Sequence, residues 1–167
     1  MKIDDVILDE ATMTMIASVS KKELLTQSVD LYATKYGLRK KDELHLTLVW
    51  TKTWAIIIDN PLIIQQATDF FQSRSKIELW DFHLLDEYYY MKKQYDPVDV
   101  RESVIQTIHI PRLAEFYNWL SVTIWQELSL PFAHITLATS SNNSLTKSRG
   151  IWLYSAKDFA DYTVQKL

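Results

Sequence analysis

Residues 45–48 read His45-Leu46-Thr47-Leu48, and residues 134–137 read His134-Ile135-Thr136-Leu137, the same tetrapeptide with one aliphatic residue exchanged for another. The chain has only 4 histidines, and two of them stand two positions before a threonine inside a short apolar run. In a β-strand, residues i and i+2 share a face. Each run therefore aims one imidazole and one hydroxyl the same way, with leucine or isoleucine on the opposite side. Two such strands brought together make a pocket with two acid–base groups and two hydrogen-bond donors. A lone His-x-Thr is an ordinary strand feature. Its return at an equivalent place in a repeated unit points to function. His83 and His109 lack the pattern and read as ordinary strand positions.

The repeat extends beyond the tetrapeptides. Thr12 to Ser20 alternates as a half-buried strand, with Met13, Met15, Ala17 and Val19 on one face. Ser20-Lys21-Lys22-Glu23 has the capping-box pattern of a helix start. Leu24, Leu25, Ser28, Leu31 and Tyr32 form that helix's stripe, and Gly37 is placed to end it. The strand with His45 follows. In the second half, a strand from Val104 to Ile110 ends at Pro111, which opens a helix bearing Leu113, Phe116, Tyr117, Leu120, Ile124 and Leu128, and the strand with His134 follows. The helix start precedes the histidine by 45 − 21 = 24 positions in one half and 134 − 111 = 23 in the other. An internal duplication predicts one bilobal α+β domain over residues 1–167 with approximate two-fold symmetry. Two antiparallel sheets line a central cleft in this expectation, with helices on the outer faces.

Between the halves, Thr51 to Asp59 reads as a short strand or packed loop. Asn60-Pro61 starts a helix, asparagine as cap and proline at its first position. Ile77 to Leu85 and Tyr88 to Tyr95 read as two strands of a hairpin joined near Asp86-Glu87, with Asp96-Pro97 closing the unit as a turn. Ser140 to Ser148 is a polar loop, Gly150 to Tyr154 a strand, and Ser155 a cap for a final helix.

Composition narrows the function. At 167 residues and 47% hydrophobic content, with 2 Gly and 4 Pro, the chain suits one compact domain with a substantial core. The absence of cysteine excludes disulfides, thiolate catalysis and Cys-ligated zinc. The acidic start, MKIDDVILDE, lacks the layout of a secretory signal, and Ala55–Ile58 is far too short an aliphatic run to span a bilayer. The expectation is a cytoplasmic protein with no membrane partner. A net charge of -3 argues against binding long nucleic acid through clustered cations, while leaving room for a small nucleotide.

Paired imidazoles suit in-line displacement at phosphorus: one, neutral, takes a proton from the attacking oxygen, and the other, protonated, gives one to the leaving oxygen. Threonine hydroxyls donate to the non-bridging oxygens where charge builds. The scheme needs no metal or cofactor, and no HExxH, Cys-cluster or EF-hand signature is present. Lys52 and Arg149 are the nearest basic residues in segments bordering the cleft. Either can neutralise phosphate, against the reading of a solvated charge. Tyr88 with Tyr90, and Trp152 with Tyr154, share strand faces. Tyr88 and Trp152 are candidates to stack on a base, against the reading of core aromatics.

The paired HLTL and HITL motifs, in this element order, resemble those of the 2H phosphoesterase superfamily, which includes the 2′-5′ RNA ligase-like proteins and 2′,3′-cyclic phosphodiesterases. The resemblance covers most of the chain in element order and is confined to the two tetrapeptides at the level of residues. It implies a bilobal fold and metal-independent chemistry at RNA-type phosphodiesters. It places catalysis on His45 and His134 and phosphate binding on Thr47 and Thr136, leaving open which histidine is the acid. The implied partner is a small nucleotide, cyclic nucleotide or RNA end, met by a monomer. Alternatives are a cyclic oligonucleotide messenger phosphodiesterase and a nucleotide- or RNA-binding module without turnover.

Overall fold

The computed structural model describes residues 3–9, 13–19, 24, 27–75, 83–143 and 150–167. Eight strands and four helices alternate along these residues. In order they are β1 (Ile3–Asp9), β2 (Thr14–Val19), α1 (Gln27–Tyr36), β3 (Arg39–Lys40), β4 (Leu44–Val49), α2 (Thr51–Ile57), α3 (Pro61–Ser75), β5 (His83–Asp96), β6 (Asp99–His109), α4 (Pro111–Thr123), β7 (His134–Ser141) and β8 (Thr163–Lys166). A 3-10 helix, Ala156–Asp161, precedes β8. The fold is α+β with an antiparallel sheet. No helix among the described residues is long and apolar enough to cross a membrane.

The alternation read in the sequence sets the two sides of this sheet. Met15, Ala17 and Val19 of β2, Leu44, Leu46 and Leu48 of β4, and Ile135 and Leu137 of β7 enter one continuous core. The helices cover that side, contributing Trp54 and Ile57 from α2, Ile63, Ala67 and Phe71 from α3, and Leu113, Phe116, Tyr117 and Leu120 from α4. The side chain of Asn60 accepts the Ile63 N–H at 3.2 Å, the cap expected there. The opposite side carries the histidines and a smaller core of Met91, Ile105, Ile151 and Leu153.

The expected two sheets are instead one, in the order β1-β2-β4-β7-β6-β5-β8 with β3 beside β7. The two halves meet where β4 lies antiparallel to β7, with Leu46 opposite Ile135. The helices lie over one side of this continuous sheet rather than on two outer faces. The register of the two motif strands nonetheless repeats at a constant spacing. Ser18 lies opposite His45 and Ile16 opposite Thr47, as Thr107 lies opposite His134 and Ile105 opposite Thr136. All four counterparts are separated by the same interval, since 134 − 45, 136 − 47, 107 − 18 and 105 − 16 are each 89.

Other expectations change with tertiary context. Thr51 to Ile57 is a helix, because Thr53, Trp54 and Ile57 are buried at helical spacing while Ile56 and Ile58 face outward. β5 runs unbroken through Asp86-Glu87, which forms only a shift in its register with β6. The hairpin turn is instead at Asp96-Pro97, where the Asp96 carboxylate accepts the Val98 N–H at 2.8 Å. Of the strand expected from Ile77, positions 77–82 lie outside the described residues, as does the Ser20 capping box. α4 stops at Thr123, and Trp125 adopts a left-handed φ of 55°, so Leu128 lies beyond the helix. Gly150 to Tyr154 joins no ladder.

Leu46 is 1% exposed at the seam of the halves, whereas Leu31 on α1 is 65% exposed. Leu46→Ala is expected to lower the unfolding free energy by about 2–5 kcal/mol. Leu31→Ala should shift it by no more than about 0.5 kcal/mol, both read by urea denaturation.

Candidate active site

The site follows from the register at the seam. With Leu46 opposite Ile135 and both side chains in the main core, the residues on either side of each point to the other surface. His45 and Thr47 of β4 thereby share one face with His134 and Thr136 of β7, the two motifs running in opposite directions. The structure thus brings together the four residues on which the sequence reading centres.

The two histidines differ in surroundings. His134 is 7% exposed, and its Nδ1 lies 2.8 Å from the Phe132 carbonyl oxygen. A carbonyl only accepts, so Nδ1 carries the proton and Nε2 of the neutral ring is left as an acceptor. Trp50 stacks beside the ring, with centroids 6.0 Å apart and 19° between planes, and Phe132 is also 6.0 Å away. Burial pushes the His134 pKa down to about 4; the Phe132 carbonyl opposes the shift and the nearby His45 adds to it. His45 is half-buried on the open side. Burial lowers its pKa as well, and Lys41 lowers it further, while Asp9 and Glu43 pull it back up.

Thr136 is held from above. The backbone of Gly150 crosses so close that a Cβ there would stand 3.2 Å from the Thr136 methyl and 3.3 Å from its hydroxyl. The segment after Gly150 forms a strap tied by side chains rather than by a ladder. Its Ile151 N–H donates to Ser103 Oγ at 3.2 Å and its Trp152 N–H to the Tyr95 hydroxyl at 2.9 Å. Asp158 Oδ2 accepts from Tyr154 and Ser155, and the capping box expected at Ser155 is present on the 3-10 helix. Ile151 and Leu153 fill the small core beneath. Those bonds are why an apolar alternation that reads as a strand is not one.

The remaining candidates separate. Lys52, exposed on the first turn of α2, holds its Nζ 4.3 Å from the ring centre of Tyr154, whose ring meets Trp50 edge-on at 5.4 Å. Lys52 therefore stands at the rim of the His134 side. Trp152 is on the strap but packs against Tyr95 and the guanidinium of the buried Arg101, which pairs with Asp99, and against none of the four motif residues in the contacts described. Tyr88 is a correction: it is 9% exposed in the main core, its ring 5.6 Å from Tyr32 of α1, on the helix-covered side. Arg149 lies outside the described residues. The sequence reading missed Lys41, Trp50 and Gly150. Lys41 and Trp50 flank the HLTL strand closely, and Gly150 is one of only 2 glycines, which was the available signal. The Trp50 indole N–H is buried without a hydrogen-bond partner. Among the described residues, no three His, Asp or Glu side chains converge in a way suited to a metal ion.

No family model, curated protein or solved structure matches the chain.

A Cβ at position 150 meets the Thr136 methyl, so Gly150→Ala is expected to destabilise the fold by about 1–3 kcal/mol, the range for overpacking. In a Thr136→Ala background, which lacks both that methyl and the hydroxyl, the same change should cost clearly less. Urea denaturation of the four proteins reads the coupling.

Proposed function

We propose that the chain is a metal-independent phosphodiesterase of the 2H type, acting on a small ribonucleotide phosphodiester, a 2′,3′-cyclic phosphate or a 2′-5′ linkage. The observation that carries this reading is the register of β4 against β7, which sets two His-x-Thr pairs on one face in opposite directions. An in-line displacement needs a base on one side of phosphorus and an acid on the other, and an antiparallel pair of such motifs supplies both.

The surroundings of the two rings support a division of labour. His134 is neutral at pH 7 with Nε2 as acceptor, the form required of a general base. It takes the proton from the attacking hydroxyl or water. His45, near the carboxylates of Asp9 and Glu43, is the better placed to hold a proton and give it to the leaving oxygen. Thr47 and Thr136 donate to the non-bridging oxygens as negative charge grows there, and the strap over Gly150 limits the conformations open to Thr136. Lys52 at the rim supplies positive charge beside the aromatic wall of Trp50 and Tyr154.

Incubation with 2′,3′-cyclic nucleotides, 2′-5′ oligoadenylates and cyclic dinucleotides in the presence of EDTA tests the reading. Turnover that survives EDTA is expected on one of these classes, and turnover of cyclic dinucleotides alone would assign the messenger-cleaving alternative. Tight binding without turnover would make the chain a binding module. His45→Ala and His134→Ala should each lower kcat by about 10²–10⁴-fold. The base works above the His134 pKa of about 4, and the acid works below the His45 pKa, itself lowered from 6.5. The kcat/KM profile is therefore bell-shaped with its maximum on the acid side of 6.5. An alkaline optimum would contradict the assignment.

A further inference from the structure

The two histidines outside the motifs face each other. β5 and β6 pair antiparallel with His83 opposite His109, the outermost rung before α4 begins at Pro111. Both belong to the side of the sheet that carries the motifs, because their neighbours are drawn the other way. Ile108 and Ile110 are each 5% exposed in the main core, and Leu84 of β5 packs against that core. Alternation along unbroken strand turns His109, between those isoleucines, and His83, next to Leu84, to the opposite side, where both are exposed. Thr107, two residues before His109, lies opposite His134, so the pair stands beside the His/Thr face without entering it.

Residues directly opposite in a ladder hold their Cβ atoms about 4.5–5.5 Å apart. Two imidazoles across that gap can each direct a ring nitrogen at one point, at the about 2.0–2.1 Å that a zinc–nitrogen bond requires. Rings that flank a phosphorus atom need more room. His45 and His134 have it, because the antiparallel register with Leu46 opposite Ile135 sets them on a diagonal rather than face to face. One exposed strand histidine is ordinary. Two of only 4 meeting on one rung, from positions 26 apart (109 − 83 = 26), make a chelating pair. Glu87 of β5 is engaged by Lys166 at 2.7 Å, and no third His, Asp or Glu joins the pair among the described residues, so water completes the shell of a bound ion.

From this rung we infer that His83 and His109 form a site for a divalent transition-metal ion of the zinc, nickel and copper group. Imidazole nitrogen suits those ions, whereas Mg²⁺ and Ca²⁺ take oxygen ligands. The ion acts as a clip on the sheet and takes no part in the His/Thr chemistry. Just inward of the pair the β5–β6 ladder is interrupted: from Leu84 to Tyr88 is four positions (88 − 84 = 4), and from Ile108 to Gln106 is two (108 − 106 = 2). Two extra residues therefore loosen β5 next to the rungs at His83 and Leu84. A metal bridge across the outer rung fastens that end. An unfolded chain does not hold positions 83 and 109 together, so the ion favours the folded state.

The test titrates zinc chloride into the full chain, with the imidazole NMR signals of all four histidines and the thermal midpoint as readouts. Zn²⁺ is expected to bind saturably at one ion per chain and to move the His83 and His109 signals together, leaving those of His45 and His134 in place. Mg²⁺ at the same concentrations should move none of them. His83→Asn and His109→Asn should each weaken Zn²⁺ at least about 10-fold, since a direct ligand costs no less than a residue that only orients one. At a Zn²⁺ concentration about 100 times its Kd, the wild-type midpoint should rise by about 5–10 °C, and at that concentration the variants should gain little of this. Both side chains are exposed, so without metal the variants should melt within about 2 °C of the wild type. Zn²⁺ that moves only one ring of the pair, or that moves His45 and His134 instead, would overturn the inference. So would either variant binding Zn²⁺ as tightly as the wild type. The clip and the phosphodiesterase reading fail separately, because EDTA strips the ion and leaves turnover that needs no metal.

Discussion

Leu46 and Ile135 form the one ladder pair between β4 and β7, and much of the molecule depends on that contact. Each side chain is at most 1% exposed, pressed into the core that the helices cover. Burying these two residues is what compels their neighbours outward. A shift of one residue at this seam would turn one strand over against the other, sending one motif's histidine and threonine into the helix-packed core and its aliphatic residues to the opposite surface. The register is thus protected by the same hydrophobic burial that stabilises the domain. The proposed site and the stability of the fold share one constraint here.

The symmetry about that seam is close in spacing and broken in chemistry. The flanking strands repeat at an interval of 89, placing a hydroxyl residue opposite each histidine and an isoleucine opposite each threonine. The surroundings then diverge. His134 is enclosed by Trp50 and Phe132 and tied to a carbonyl, while His45 has Lys41, Asp9 and Glu43 as its electrostatic neighbours. Two copies of one motif thereby acquire different proton affinities and different tautomeric constraints, which is what an acid–base pair requires.

The parts legible in the sequence were those governed by short-range periodicity. Alternation in β2, β4 and β7, the Asn60 cap and the Pro111 helix start all correspond to burial or hydrogen bonds that local spacing anticipates. Less legible were features settled by distant partners. Ala55–Ile58 reads as a short strand or packed loop until Trp54 and Ile57 are seen packed in the main core. Gly150 to Tyr154 has strand-like alternation, but Ser103, Tyr95 and Asp158 take its amides and no neighbouring strand does. Tyr88 looks available for stacking until α1 covers it through Tyr32.

The central claim is that the two motifs work as one site. The double variant His45→Ala/His134→Ala measures this directly, in a cycle with the two single variants on the best phosphodiester substrate. Groups that act as a unit are strongly non-additive, so the double variant should be about as slow as the slower single variant. Losses that multiply, so that the double variant shows the product of the two single effects, would mean two independent contributions and would contradict the account.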